Sequence, residues 1–257
     1  MLSLFLGLAF GAPDFSTALK EMSGKKVEYS ASLGESKGAF DPSPQYIGDT
    51  VNCMTWMQGV IAYAYGDTEE QRMLYLDSLR YYGDTISFGT RKHYVDRWLE
   101  LEPKPLIPLK TDICKADIIG SVNLDLIRFK QNHSFQGKLF QEEKSQFGLD
   151  ALSSARMGDC LSSLPAGFYA LFFVANASYL KTWGKHGAMG QVHSMIVEKT
   201  DVIRIHHASI DFGKVQVENW SALSERLETV AQSFTIYSFA SEWEPKTMKV
   251  MSTETQG

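Results

Sequence analysis

The stretch GDTVNCMTWMQGVIAYAYG, Gly48–Gly66, puts a cysteine where a polar, turn-rich approach gives way to an apolar helical pattern. Upstream, Gly34–Thr50 (GESKGAFDPSPQYIGDT) is dense in Gly, Ser, Pro and Asp, residues that favour turns over either regular period. Beyond it, Cys53, Trp56, Met57, Val60, Ile61 and Ala64 recur at three- and four-residue intervals, the spacing of one helix face. Gly66 is expected to end that helix in a left-handed conformation. Cys53 therefore falls in the first turn of a helix.

Working outward, a second helix is expected over QRMLYLDSLRYY, with Asp67 as N-cap, Glu70 completing a capping box and Gly83 closing it. RKHYVDRWLEL reads as a further short helix, and the prolines of Glu102–Leu109 (EPKPLIPL) interrupt both periods. Thr111–Leu161 mixes helical and loop signals, so 103–160 reads as an insertion or peripheral subdomain within a single domain spanning 1–257. After it come the short β-rich runs GFYALFFV, VHSMIVE, VIRIHHAS and KVQV. A chain that is helical first and β-rich later predicts an α+β fold, with helices packed on an antiparallel sheet.

Composition excludes several classes of function. The chain has 257 residues, 44% apolar content and a formal charge of −5 without a long run of either sign. Nothing there resembles a nucleic-acid footprint or a polybasic membrane patch. The most apolar segment, Ala166–Leu180, is shorter than the ~20 residues that span a bilayer, so no integral membrane segment is expected. MLSLFLGLAFGAP at the start has the apolar part of a secretory signal without a basic leader, and a buried first helix is preferred. Cys53, Cys114 and Cys160 are odd in number and widely spaced, which indicates neither a disulfide framework nor a zinc module and leaves at least one thiol free.

Chemistry enters through VHSMIVEKTDVIRIHHAS, Val192–Ser209. If Lys199–Asp201 forms a three-residue loop, Glu198 pairs with Val202 and His193 comes opposite His207, with β-carbons about 5 Å apart. A loop shorter by one residue brings His206 there instead. A helix-tip cysteine, a histidine and a second polar group form a nucleophile, a base and an orienter: Cys53, His193 and His207. The helix N-terminus and an imidazolium lower a thiol pKa, and the backbone N–H of Cys53 is available to an oxyanion. On residue type alone, a cysteine in an apolar helix is more often a small buried hydrophobe, and a histidine pair on a strand more often structural. A zinc site from the same three side chains lacks a recognised ligand spacing; no metal or other cofactor is expected.

In combination, these pieces resemble the NlpC-type cysteine peptidases of bacterial cell walls, which have a papain-like α+β core. FLGLAF and NCMTWMQ stand where that superfamily has its leading segment and its nucleophile box, and LPAGFYALFF, VHSMIV and IHHAS follow in the family's order. One branch, the N-acetylmuramoyl-L-alanine amidase-like family long filed as a domain of unknown function, is more similar still. Cys53, Thr55 and Trp56 match its DCxTFVE box, and Arg91, His93, Tyr94 and Trp98 match its RxHYxxxW-like segment. The resemblance implies hydrolysis of the amide between N-acetylmuramic acid and L-alanine in muropeptides, through a thioester on Cys53 in a bacterial cell envelope or secreted setting. It also implies substrate contacts at Arg91, Tyr94, Trp98 and Phe10, which on composition alone read as a surface ion pair and core aromatics. Departures from the pattern are Asn52 for Asp, Gln58 for Glu, Phe168 for Asp and Ser194 for Gly. A stem-peptide endopeptidase and a binding module without turnover are the alternative readings; the oligomeric state is left open.

Overall fold

The computed structural model describes residues 12–28, 48–82, 92, 98, 101–109, 114, 117–125, 144–175, 191–227 and 231–245. Phe10, Arg91, His93 and Tyr94 lie outside the described residues, as do Gly83, the opening apolar stretch and most of the expected RKHYVDRWLEL helix.

Helix α1, Phe15–Met22, begins where the Asp14 carboxylate accepts from Thr17 N–H. It buries Phe15, Ala18, Leu19 and Met22, one face at i, i+3, i+4 and i+7. Two short strands, β1 (Lys26–Val27) and β2 (Thr50–Val51), lead to α2, Cys53–Tyr65. The Asn52 side chain accepts from Thr55 N–H while the Thr55 hydroxyl accepts from Asn52 N–H, a reciprocal cap that fixes the helix start at Cys53. From Thr55 to Tyr65 every residue of α2 except Tyr63 is buried, as expected of a helix enclosed by protein rather than lying on its surface.

The next helix, α3, spans Glu69–Arg80, and its cap differs from the expectation by one residue. Thr68, not Asp67, is the N-cap, and Gln71, not Glu70, closes the box by accepting from the N–H groups of both Asp67 and Thr68. Gly66 is not left-handed either; its φ is −105°. A Cβ there would stand 2.8 Å from Arg72 Cγ and Arg72 N, so close approach of α3 is what demands glycine.

The remaining elements are β3 (Leu106–Pro108), β4 (Asp117–Asp125), β5 (Lys144–Ala151), α4 (Ser154–Ser163), β6 (Gly167–Ala175), β7 (Gln191–Lys199), β8 (Ile203–Ser209), β9 (Lys214–Glu218), α5 (Trp220–Leu227) and β10 (Ala231–Phe239). Eight strands form one curled sheet in the order β2-β1-β9-β8-β7-β6-β10-β3, antiparallel at every pairing except β1 with β2. Alternation along the strands separates two cores. Phe172, Ile196 and Ala208 meet Phe15, Trp56, Val60 and Ile61 of the first helices. Leu171, Met195, Val197, Ile205 and Phe234 meet Met157 and Leu161 of α4 and Leu223 of α5. The sheet is thus covered on both faces, and the sequence's shift from helical to β-rich grammar corresponds to this mixed helix-and-sheet arrangement.

The segment expected to be an insertion or peripheral has a more specific organisation. β3 is an edge strand of the main sheet, α4 contributes to the second core, and β4–β5 form a separate two-stranded sheet. Cys114 and Cys160, in which no disulfide was expected, are joined as one, while Cys53 stays free. The bond crosses 46 residues of chain and ties the approach to β4 to a buried position on α4. Closing a loop of that length removes about 4 kcal/mol of chain entropy from the unfolded state. Replacing both cysteines by alanine is therefore expected to lower unfolding free energy by about 2–4 kcal/mol in a denaturant titration; an unchanged midpoint would show that the bond constrains nothing.

Candidate active site

The site begins at the tip of α2. The Asn52 cap uses the N–H of Thr55, and Trp56 N–H returns to the Asn52 carbonyl. The N–H groups of Cys53 and Met54 favour the Cys53 thiolate. Asn52, a departure from the resembling family's Asp, thus performs the capping function through its amide oxygen. Gln58, the other departure in the box, is buried and accepts from Arg80 Nε at 3.0 Å.

The sheet reaches this helix tip through Ser194. Its hydroxyl donates to the Cys53 carbonyl at 2.7 Å, across 141 positions of sequence. Its backbone N–H and hydroxyl also favour the Cys53 thiolate. The strand residue next to Ser194 is His193, which faces Phe173 at a ring separation of 5.7 Å. A β-bulge interrupts the β6–β7 ladder beside this residue, between the pairs Phe173–His193 and Val174–Gln191.

The β7–β8 hairpin does not have the expected register. Lys199 pairs with Ile203 and Glu198 with Arg204, so the loop is Thr200–Val202 and the ladder is shifted by two residues. Thr200 N–H donates to the Val202 carbonyl and Val202 N–H to the Thr200 hydroxyl, which closes the turn one residue later than expected. Because the side-chain period of a strand is two, a two-residue shift keeps each side chain on its face and turns the direct histidine pair into a diagonal one. His193 Nε2 lies 2.9 Å from His207 Nδ1. His206 points elsewhere, to Glu198 Oε2 at 3.0 Å.

Two partners of this pair were not identified as such in the sequence. His207 Nε2 lies 2.6 Å from Glu218 Oε2, and Arg226 Nη2 donates to the same oxygen at 2.6 Å. Arg226 also donates to Asp211 Oδ2 at 3.2 Å. Glu218 ends the KVQV run and pairs with Ile205, so extending the antiparallel alternation past β8 was the signal that could have found it. Arg226 carries no such signal, because it arrives on a helix.

Electrostatics in the resting site favours neutral groups. Burial pushes the Cys53 thiol up, against hydrogen bonds from Ser194 and the helix-tip amides that pull it down. The residue retains some exposure, so protein atoms packed around the sulfur, rather than complete removal from solvent, cause this. The expected depression of the thiol pKa is thereby reversed. Burial also holds His193 well below the ordinary histidine value, assisted by the neighbouring His207 ring and the Arg226 guanidinium, both of which disfavour a proton there. For His207 burial again dominates, lowering its pKa although Glu218 raises it. Burial would raise Glu218, but hydrogen bonds from Arg226 and His207 outweigh it and keep the carboxylate ionised.

Trp98, expected to contact substrate, has no exposed surface: it is fully buried and its indole donates to the Leu79 carbonyl at 2.9 Å. Among the described residues, no group of three or more His, Cys, Asp or Glu is arranged to hold a metal ion, and no helix is long and apolar enough to cross a membrane.

The N-acetylmuramoyl-L-alanine amidase-like family, AmiA-like, matches residues 21–166, more than half of the chain and including Cys53 and its cap. The chain belongs to this family. No curated protein matches it by sequence. The amidase-like fold recurs in a Legionella pneumophila protein assigned to the family DUF1460, at TM-score 0.67 and 16% identity, covering 91% of this chain and 90% of that one. It recurs in an N-acetylmuramoyl-L-alanine amidase from Bacteroides uniformis, at TM-score 0.59 and 16% identity over 88% and 97% of the two chains. A Bacteroides fragilis protein provisionally called a xylanase also shares it, at TM-score 0.58 and 14% identity over 87% and 100%. The different names on one fold show why the site, not the architecture, must support a function. Membership of the amidase-like family supports a peptidoglycan amidase-like hydrolase, associated with the envelope or secreted.

The electrostatics predicts how the free thiol reacts. In the substrate-free protein, alkylation of Cys53 by iodoacetamide should accelerate with rising pH and inflect above the ordinary thiol pKa. Ser194→Ala, which removes a hydrogen bond favouring the thiolate, should move the inflection further up. Full reactivity at mildly acidic pH would contradict a neutral resting thiol.

Proposed function

We propose that the protein is a cysteine amidase that hydrolyses the N-acetylmuramoyl-L-alanine bond of muropeptides through Cys53, His193 and His207, on a core of the NlpC, papain-like type. The observation that supports this reading is the junction at Ser194: it ties the helix tip that carries Cys53 to the strand that carries His193, beside a β-bulge, and the His193 ring is held by a second histidine.

The hydrogen-bond chain assigns the roles. Glu218, an ionised carboxylate, only accepts, so His207 Nε2 carries a proton and its Nδ1 presents a lone pair. His193 Nε2–H donates to that lone pair, which leaves His193 Nδ1 unprotonated and available as the base. In the proposed reaction Nδ1 takes the Cys53 thiol proton as the sulfur adds to the amide carbonyl carbon. The carbonyl oxygen becomes an oxyanion, received by N–H groups at the tip of α2. The C–N bond then breaks, the departing alanine nitrogen takes the proton from His193, and the muramoyl acyl group remains as a thioester. Water, deprotonated by His193, displaces the thiol and restores the starting state.

A neutral resting pair suits this sequence, since charge separation is deferred until substrate excludes water and offers the carbonyl. The Cys114–Cys160 disulfide accords with an oxidising compartment, where wall fragments are encountered. Arg91, Tyr94 and Phe10 remain the proposed substrate contacts from the family resemblance.

Mass spectrometry of purified muropeptides incubated with the protein tests the reading. Free stem peptide and intact sugar are expected, with turnover reduced roughly 1000-fold or more by Cys53→Ala. Cuts confined to the stem would instead identify an endopeptidase, and cleavage unchanged in the variant would remove the cysteine mechanism.

A further inference from the structure

We infer that Glu218, clamped by Arg226, is a positioning residue for the histidine pair, fixing which nitrogen of each ring holds the proton and hence which atom of His193 is free to act as base. The kinetic consequence rests on the proposed amidase reading; the proton arrangement rests on geometry alone.

Four elements converge here. Glu218 closes β9, His207 lies on β8, Arg226 comes from α5, and Asp211 occupies the turn between β8 and β9. A single oxygen, Glu218 Oε2, receives both the His207 ring and the Arg226 guanidinium at 2.6 Å. Glu218 is mostly buried and His207 almost wholly so, with side-chain exposures of 14% and 1%, which keeps water from substituting for either partner. With neutral rings, only one arrangement makes both bonds: Nε2–H of His207 to the carboxylate, and Nε2–H of His193 to His207 Nδ1. The reverse tautomer of His207 would set a ring lone pair against a carboxylate oxygen. The carboxylate needs its clamp to stay ionised among these neighbours, and Arg226 supplies it in a two-nitrogen bridge between Glu218 and Asp211.

Among the described residues, the charged and titratable groups facing His207 are His193, Glu218, Arg226 and Asp211. Glu218 favours a proton on His207; Arg226 disfavours one on either histidine. Glu218→Gln should thus lower the His207 titration midpoint, and Arg226→Gln should raise it. Opposite signs distinguish positioning from simple support, since loosened packing would relieve burial and raise the midpoint in both variants.

Imidazole ¹⁵N NMR of the substrate-free protein reads this directly. The expected result in the wild type is Nε2 protonation of both His193 and His207, with midpoints displaced in opposite directions by the two variants. An Nδ1-protonated His207, or displacements of the same sign, would overturn the inference, and the wild-type spectrum decides it even if a variant fails to fold. On muropeptide, Glu218→Gln should reduce kcat roughly 10- to 100-fold with KM little changed, and Glu218→Asp should restore part of the loss. An unaltered kcat would also overturn it. If the wild type shows the expected tautomers but cleaves no amide, the amidase reading fails and the positioning inference stands.

Discussion

The hydrogen bond from the Ser194 hydroxyl to the Cys53 carbonyl is the point on which the site depends. It joins the helical first half of the chain to the sheet of the second half at the residue adjoining His193. A thiol at a helix tip without this junction would be an ordinary half-buried cysteine. A bonded histidine pair without it would be a structural feature of a sheet. A side chain, not backbone alone, makes the junction.

Around that junction the molecule is arranged so that neither the Cys53 thiol nor the His193 ring is charged at rest. Helix-tip amides and Ser194 favour the thiolate, but enclosure of the sulfur outweighs them. The histidines are likewise kept neutral by burial, and the Glu218 carboxylate, held ionised by Arg226 and His207, lies one layer further out. Packing therefore decides the protonation state, and hydrogen bonding decides which atom receives the proton.

Much of this was legible in the sequence because it depends on local chemistry. The start of α2 at Cys53 could be read from the change in composition, although the cap itself could not, since Asn52 and Thr55 act as a reciprocal pair. The runs that became β6 to β9 were recognisable from β-rich composition between turn residues, whereas β10 was not picked out. The proximity of His193 and His207 survived a wrong register only because the ladder moved by two residues, preserving the face. What could not be read was non-local. Arg226 reaches the site on a separate helix, Cys114 finds Cys160 across 46 residues, and Trp98 is withdrawn from any ligand by packing against α3. The sign of the thiol shift was misjudged for the same reason: a helix tip is visible in sequence, and the enclosure of a sulfur is not.

The most direct measurement of the central claim is a crystal structure of the Cys53→Ala protein with an intact muropeptide bound. The account predicts the muramoyl-alanine carbonyl carbon above residue 53, its oxygen toward the N-terminal amides of α2 and its amide nitrogen on the His193 side. A ligand seated with that amide away from both residue 53 and His193 would contradict it.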